Sequence, residues 1–174
     1  MHDDYYQMYL DEIAMIAPCS PEEEKLLLAR ISEGDEAAKN RLMEGMLSYI
    51  AEIIKSYSDS GLPMGDLVQE ANVALIMTVG SWHPGEDFRT LLKAQVEAAL
   101  DAAIKEQELE EKVEEEMLAR VNVLKDISQQ MAEELGREAT VEELAAKMKM
   151  TVDEIKTIMK LTLDAMSVSP DAEE

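Results

Sequence analysis

Apolar residues recur at helical spacing through most of this 174-residue chain. Ser20-Pro21-Glu22-Glu23 combines an N-cap, a Pro at the first helical position and a capping-box Glu. Leu26, Leu27 and Ile31 follow at helical spacing until Gly34. Asp35 opens a second helix whose Leu42, Met46, Leu47, Ile50, Ile53, Ile54 and Tyr57 make a broad stripe with a period of about 3.6 residues. Ser60-Gly61-Leu62-Pro63 reads as a loop, Asp66–Val79 as a helix, and Gly80-Ser81-Trp82-His83-Pro84-Gly85 as punctuation. From Glu86 to Leu135 there is no Gly or Pro, and Leu109, Val113, Met117, Val121, Leu124, Met131 and Leu135 continue a helical stripe that Gly136 ends. Two short helices follow, each with its own capping box, Thr140 with Glu143 and Thr151 with Glu154. Joined at Met148-Lys149-Met150, they draw a helix–turn–helix outline, and the tail from Ser167 is expected to fray. The pattern predicts an all-α protein.

Composition narrows the function classes. Thirty-eight acidic side chains against 16 basic ones leave a formal charge of -22, spread evenly on both sides of Lys105. Duplex DNA binding rests on Lys and Arg that neutralise phosphates, so any such contact needs a local basic patch. A hydrophobic share of 47% is enough for a core, while 4% aromatics and 12 Gly plus Pro residues disfavour a β-sandwich. One cysteine, Cys19, excludes a disulfide framework and fits a reducing cytoplasm. No apolar run reaches the roughly 18–20 residues of a membrane span, and no secretory pattern opens the chain. His2 and His83 lack Cys or carboxylate neighbours at ligand spacing, and there is no phosphate loop, nucleophile elbow or paired-carboxylate site. Neither a metal, a cofactor nor catalysis is therefore expected. The 13 Met residues read as adaptable core, with Met77 a possible surface exception.

The Asp66–Val79 helix carries the most informative surface. At 100° per residue, Leu67, Val68, Ala71, Leu75 and Val79 form one apolar face that should pack inward. Asp66, Gln69, Glu70, Val73 and Met77 fall opposite, with Asn72 and Ile76 at the edge. A solvated face has no need of Val73, Ile76 and Met77; a mixed apolar and acidic strip suits docking against an Arg-rich partner helix. The alternative is that another helix of this chain covers it.

Several short motifs then agree in order with one family. Met8-Tyr9-Leu10-Asp11-Glu12-Ile13, Pro21-Glu22-Glu23-Glu24, Glu33-Gly34-Asp35, Gly61-Leu62-Pro63 and Asp66-Leu67-Val68-Gln69-Glu70-Ala71-Asn72 resemble bacterial RNA polymerase sigma factors of the sigma-70 family. The run from Glu134 to Ala145 resembles that family's middle helix–turn–helix domain, and the likeness extends from Tyr5 to Ser169. It implies a multi-helix sigma-like domain over residues 1–107, a small three-helix domain with the helix–turn–helix over 108–169, and a tail over 170–174. Nothing here resembles the family's C-terminal promoter-reading domain or most of the finger before it. In the family, the helix matching Asp66–Met77 grips the clamp coiled coil of the largest polymerase subunit. The resemblance thus assigns Asp66, Gln69, Glu70 and Asn72, with Val73, Ile76 and Met77 beside them, to core polymerase.

The promoter-melting helix departs from that pattern. Where the family carries a Trp pair, this chain has Ala94 and Gln95; Leu91 replaces a Tyr, and Glu97 and Ala102 replace Arg. Arg89 and Lys93 are the candidates left for DNA phosphate, beside Glu97 and Asp101. Glu106–Met117 then holds seven Glu and one Lys where the family is basic, with Glu114 at the position of a Pro and Glu116 at that of a His. With that Pro gone, the segment is expected to be helical. The resulting expectation is a cytoplasmic, non-enzymatic, sigma-like protein that binds core RNA polymerase, with degenerate promoter contacts and no DNA binding by the free chain. It would serve as a regulator, a competitor or half of a split sigma. The rival readings are a working sigma factor with unusual promoter specificity, and an acidic helical adaptor or DNA mimic that does not bind polymerase.

Overall fold

A computed structural model describes the backbone of residues 2–167 and the side chains of residues 6–161. Among these residues there are seven helices and no strand: α1 (His2–Ala14), α2 (Pro21–Ser32), α3 (Glu36–Lys55), α4 (Met64–Ser81), α5 (Phe88–Leu135), α6 (Val141–Met148) and α7 (Val152–Ser167). The expected tail over 170–174 lies outside them. The chain divides into two compact units, residues 1–108 and 109–174, with α5 contributing its first part to one and its last part to the other.

The N-caps read from the sequence are formed, but the Glu23 carboxylate expected to complete a capping box with Ser20 instead accepts from Arg41 of α3 at 2.8 and 3.0 Å. Ser20 Oγ accepts from the Glu23 backbone N–H at 3.1 Å, and Asp35 Oδ1 accepts from that of Ala38 at 3.1 Å. Each satisfies an amide that the first helical turn leaves without a partner. Asp87 does the same for α5, accepting from the Thr90 N–H at 2.7 Å. The helix matching Asp66–Val79 is longer than the sequence outline, starting after Pro63, whose carbonyl accepts from the N–H groups of Asp66 and Leu67.

The core of the first unit is built from residues spaced four apart. Leu42, Met46, Ile50 and Ile54 of α3, Leu67, Ala71, Leu75 and Val79 of α4, and Phe88, Leu92, Val96 and Leu100 of α5 are all buried in one cluster. Such i, i+4 rows are the ridges by which helices interdigitate, and each buried Leu or Ile contributes about 1.5–3 kcal/mol. Leu27 and Ile31 close the cluster from α2, and α1 packs on α3 and α4 through buried Ile13. Trp82 packs against this cluster from the loop, its Nε1–H donating to the Glu86 carbonyl at 3.2 Å.

In the second unit, Leu124 of α5, Leu144 and Ala145 of α6, and Ile155 and Ile158 of α7 form a separate core, flanked by Met117, Val121, Ile127 and Met131. The α6–α7 corner turns at Lys149, which adopts a left-handed conformation (φ 56°). The two capping boxes expected in this unit are present: Thr140 N–H reaches Glu143 Oε2 at 2.8 Å, and Thr151 N–H reaches Glu154 Oε2 at 2.8 Å. The stripe read along α5 is shorter than its sequence suggests. It packs from Met117 to Met131, whereas Leu109, Val113 and Leu135 are exposed, because α6 and α7 are too short to cover a helix of 48 residues along its whole length. Glu106–Met117 is helical and continuous with its neighbours on both sides.

Candidate functional site

Helix α4 turns one face into the core and keeps the other free. Leu67, Ala71, Ala74, Leu75, Thr78 and Val79 are buried, and Val68 is half-buried against the same cluster. Thr78, the buried polar residue of the set, donates its hydroxyl to the Ala74 carbonyl one turn back at 2.7 Å. Opposite lie Asp66, Gln69, Glu70, Val73, Ile76 and Met77, all exposed and within about a third of a helical turn of one another. Val73 is 52% exposed, Ile76 57% and Met77 68%. No described residue of the same unit covers them, so the strip is open, acidic and amide towards its N-terminal end and apolar towards its C-terminal end. A face of this kind takes up a partner by burying the three apolar side chains while its carboxylates receive cationic groups.

Asn72 stands apart from the other six. Its side chain is half-buried and turned towards α1, and its Oδ1 is shut off from solvent beside the Tyr9 hydroxyl. Neither atom completes a hydrogen bond of good geometry. Burial pushes the Tyr9 hydroxyl up to about 12, a nearby Tyr6 adds to the rise, and the Asn72 side chain partly offsets it. Tyr9 is therefore a neutral phenol throughout the physiological range. Tyr9, Ile16, Met43, Leu47, Asn72 and Ile76 line a groove of about 470 Å³ that reaches the edge of the exposed strip. The sequence reading has Tyr9 within a motif and Leu47 within the apolar stripe of α3, but it does not join them, or Ile16 and Met43, into a groove. Apolar spacing such as that of Ile13, Ile16 and Leu47 is indistinguishable from ordinary core.

The two cations of the DNA-facing candidate set are differently placed. Arg89 is held inside the first unit: its Nε donates to Glu24 Oε2 at 2.7 Å, and its guanidinium lies 5.2 Å from the Tyr49 ring centre. Lys93 is exposed, with Nζ 3.8 Å from Glu97 Oε1. The same helix exposes Ala94, Gln95, Asp101 and Ala102, a surface without an aromatic ring. Its electrostatic content is close to neutral at Lys93 and acidic beyond it. Among the described residues no group of His, Cys, Asp and Glu is arranged to hold a metal ion, and no helix is long and apolar enough to cross a membrane.

Comparison with known proteins places the chain among its relatives. Residues 119–174 match the family model described as Sigma-70 region 3. Relatives include the RNA polymerase sigma factor SigA of a Bacillus species, 36% identical over 151 residues. That of Clostridium acetobutylicum is 37% identical over 150 residues. These alignments cover 86% and 85% of this chain, and the chain spans about 40% of the length of each relative. On the combined evidence of the region 3 match and the collinear likeness to both relatives, the chain belongs to the sigma-70 family of RNA polymerase sigma factors.

Proposed function

We propose that this chain is a sigma-factor-like, non-enzymatic transcription-initiation protein that docks on core RNA polymerase through α4. Val73, Ile76 and Met77 form the centre of the contact, with Asp66, Gln69 and Glu70 receiving Arg side chains of the clamp coiled coil in the largest subunit. The observation that carries the reading is their joint exposure on one face of a helix whose other face packs into the core. Asn72 acts from the rim, where its turn towards Tyr9 fixes the edge of the groove.

The promoter side of the reading is a loss. Base flipping needs aromatic platforms and phosphate-binding cations, and α5 offers Ala94 and Gln95 at its surface with Arg89 engaged by Glu24. The chain therefore works at polymerase as a regulator, a competitor or one half of a split sigma, with promoter contacts left to another molecule. The test is an affinity capture with the purified chain on core polymerase, with and without promoter DNA. Capture of core that needs no DNA supports the reading. Capture only when promoter DNA is present supports a working sigma factor instead, and no capture supports an adaptor unconnected with polymerase.

A further inference from the structure

A second unpartnered face lies in the other unit, independent of the α4 contact. Leu109 and Val113 sit one turn apart on α5 and are 63% and 55% exposed. They continue, towards the N-terminus, the same face on which Met117, Val121 and Leu124 meet α6 and α7. Beyond Met117 no described residue of the second unit covers it. Glu110 and Glu114 border the strip on one side, while Glu116 stands on the other with Lys105 and Lys112 behind it, all exposed, so acid prevails around the strip. Glu110 and Glu114 are also a like-charge pair at i, i+4, which disfavours the isolated helix.

We infer that the Leu109–Val113 strip with its Glu110, Glu114 and Glu116 border is a docking face for a basic amphipathic helix of another protein. Its occupant carries an apolar i, i+4 stripe edged by Lys or Arg. Charge complementarity selects it. A positively edged helix relieves the Glu110–Glu114 repulsion while its apolar stripe covers Leu109 and Val113. A second copy of this chain brings a further excess of Glu to the strip and only Lys105 and Lys112 to offset it. The chain's own residues beyond Leu161 carry Asp164, Asp171, Glu173 and Glu174 and no Lys or Arg, so they are no better suited. The contact is small and depends on charge, which makes it transient and salt-sensitive.

The test uses the full chain and a fluorescein-labelled synthetic helical peptide with Leu at i, i+4 spacing edged by Arg. Binding is read by anisotropy at low and physiological salt. The wild-type chain should bind in the micromolar range, more weakly as salt rises. Leu109→Ser with Val113→Ser, and separately Glu110→Lys with Glu114→Lys, should each weaken binding at least tenfold. Asp126→Lys with Glu134→Lys, which makes the same charge change farther along α5, should change it less than threefold. All these positions are exposed, and circular dichroism confirms that the helices persist. Equal losses from both charge pairs, or no loss from the Leu109 and Val113 pair, would overturn the inference, since the peptide would then be responding to bulk negative charge. A concentration-dependent dimer in sedimentation equilibrium that the Leu109 and Val113 pair abolishes would overturn it in favour of a second copy.

Discussion

Arg89 Nε meets Glu24 Oε2 at 2.7 Å, joining α5 to α2 across 65 positions of sequence. Glu24 is the more enclosed partner, with its side chain 12% exposed against 41% for Arg89. The Tyr49 ring beneath the guanidinium adds a cation–π contact. Arg89 thus serves the fold of the first unit before it can serve any phosphate. Arg89→Ala leaves Glu24 without its cation and removes the stem packed on Tyr49. It should lower stability by about 1–2 kcal/mol, somewhat more than a surface ion pair is worth. Urea denaturation of the two proteins measures the difference.

Cys19 and Gly45 make a close approach. The Cys19 backbone N–H donates to the Gly45 carbonyl at 3.2 Å, in the middle of α3, and a Cβ on Gly45 would collide with Cys19 Sγ. It would also stand 3.0 Å from the Cys19 backbone nitrogen, which no rotamer change can move. Gly45→Ala gains about 1 kcal/mol in helix propensity and incurs roughly 1–3 kcal/mol of overpacking. The steric effect wins because backbone is involved, so the variant should unfold at lower urea than wild type. Gly65→Ala, where nothing lies within 4 Å of the added carbon, should not.

The α6 capping box is tuned by charge. The Arg137 guanidinium, and after it the Thr140 backbone N–H, hold the Glu143 carboxyl at about 2, below its ordinary 4.5. A carboxyl whose pKa is lowered on folding stabilises the folded state above its ordinary value and loses that effect as pH falls through its folded one. Glu143→Gln should therefore melt below wild type at neutral pH, and the difference should shrink between pH 4.5 and 2. Parallel thermal melts by circular dichroism across that window check the sign.

The free chain should not bind single-stranded or duplex promoter DNA at physiological salt. Its α5 surface lacks aromatic rings at Ala94 and Gln95, and its nearest exposed cation, Lys93, lies beside Glu97. A mobility-shift assay with either form of DNA tests this. Micromolar binding with a steep salt slope would contradict it.

Local signals were the legible part of this protein. Asp35, Ser20 and the Thr140–Glu143 pair announce helix starts because a cap needs only a neighbour three residues away. The inward and outward faces of α4 were equally readable, since 100° per residue separates Leu67, Ala71 and Leu75 from Val73 and Met77. What depended on distant partners was not. Nothing around Arg89 in sequence points to Glu24, and nothing around Asn72 points to Tyr9. Leu109 and Val113 have the spacing of core residues, but whether a stripe is covered depends on the lengths of α6 and α7, which the stripe itself does not encode.

The central claim is that the exposed face of α4 binds core RNA polymerase. Gln69→Ala combined with Glu70→Lys removes an amide and reverses a charge on that face, and neither side chain enters the Leu67, Ala71, Leu75 core. Interface centres dominate binding, and breaking a desolvated charge pair costs about 2–5 kcal/mol. The decisive measurement is core-polymerase affinity of this double variant against wild type by fluorescence anisotropy, with thermal unfolding of both alongside. A loss of affinity of about a hundredfold or more, with an unchanged Tm, is the expected result. Unchanged affinity would contradict the claim, and a collapsed Tm would show that this face is held within the protein rather than offered to polymerase.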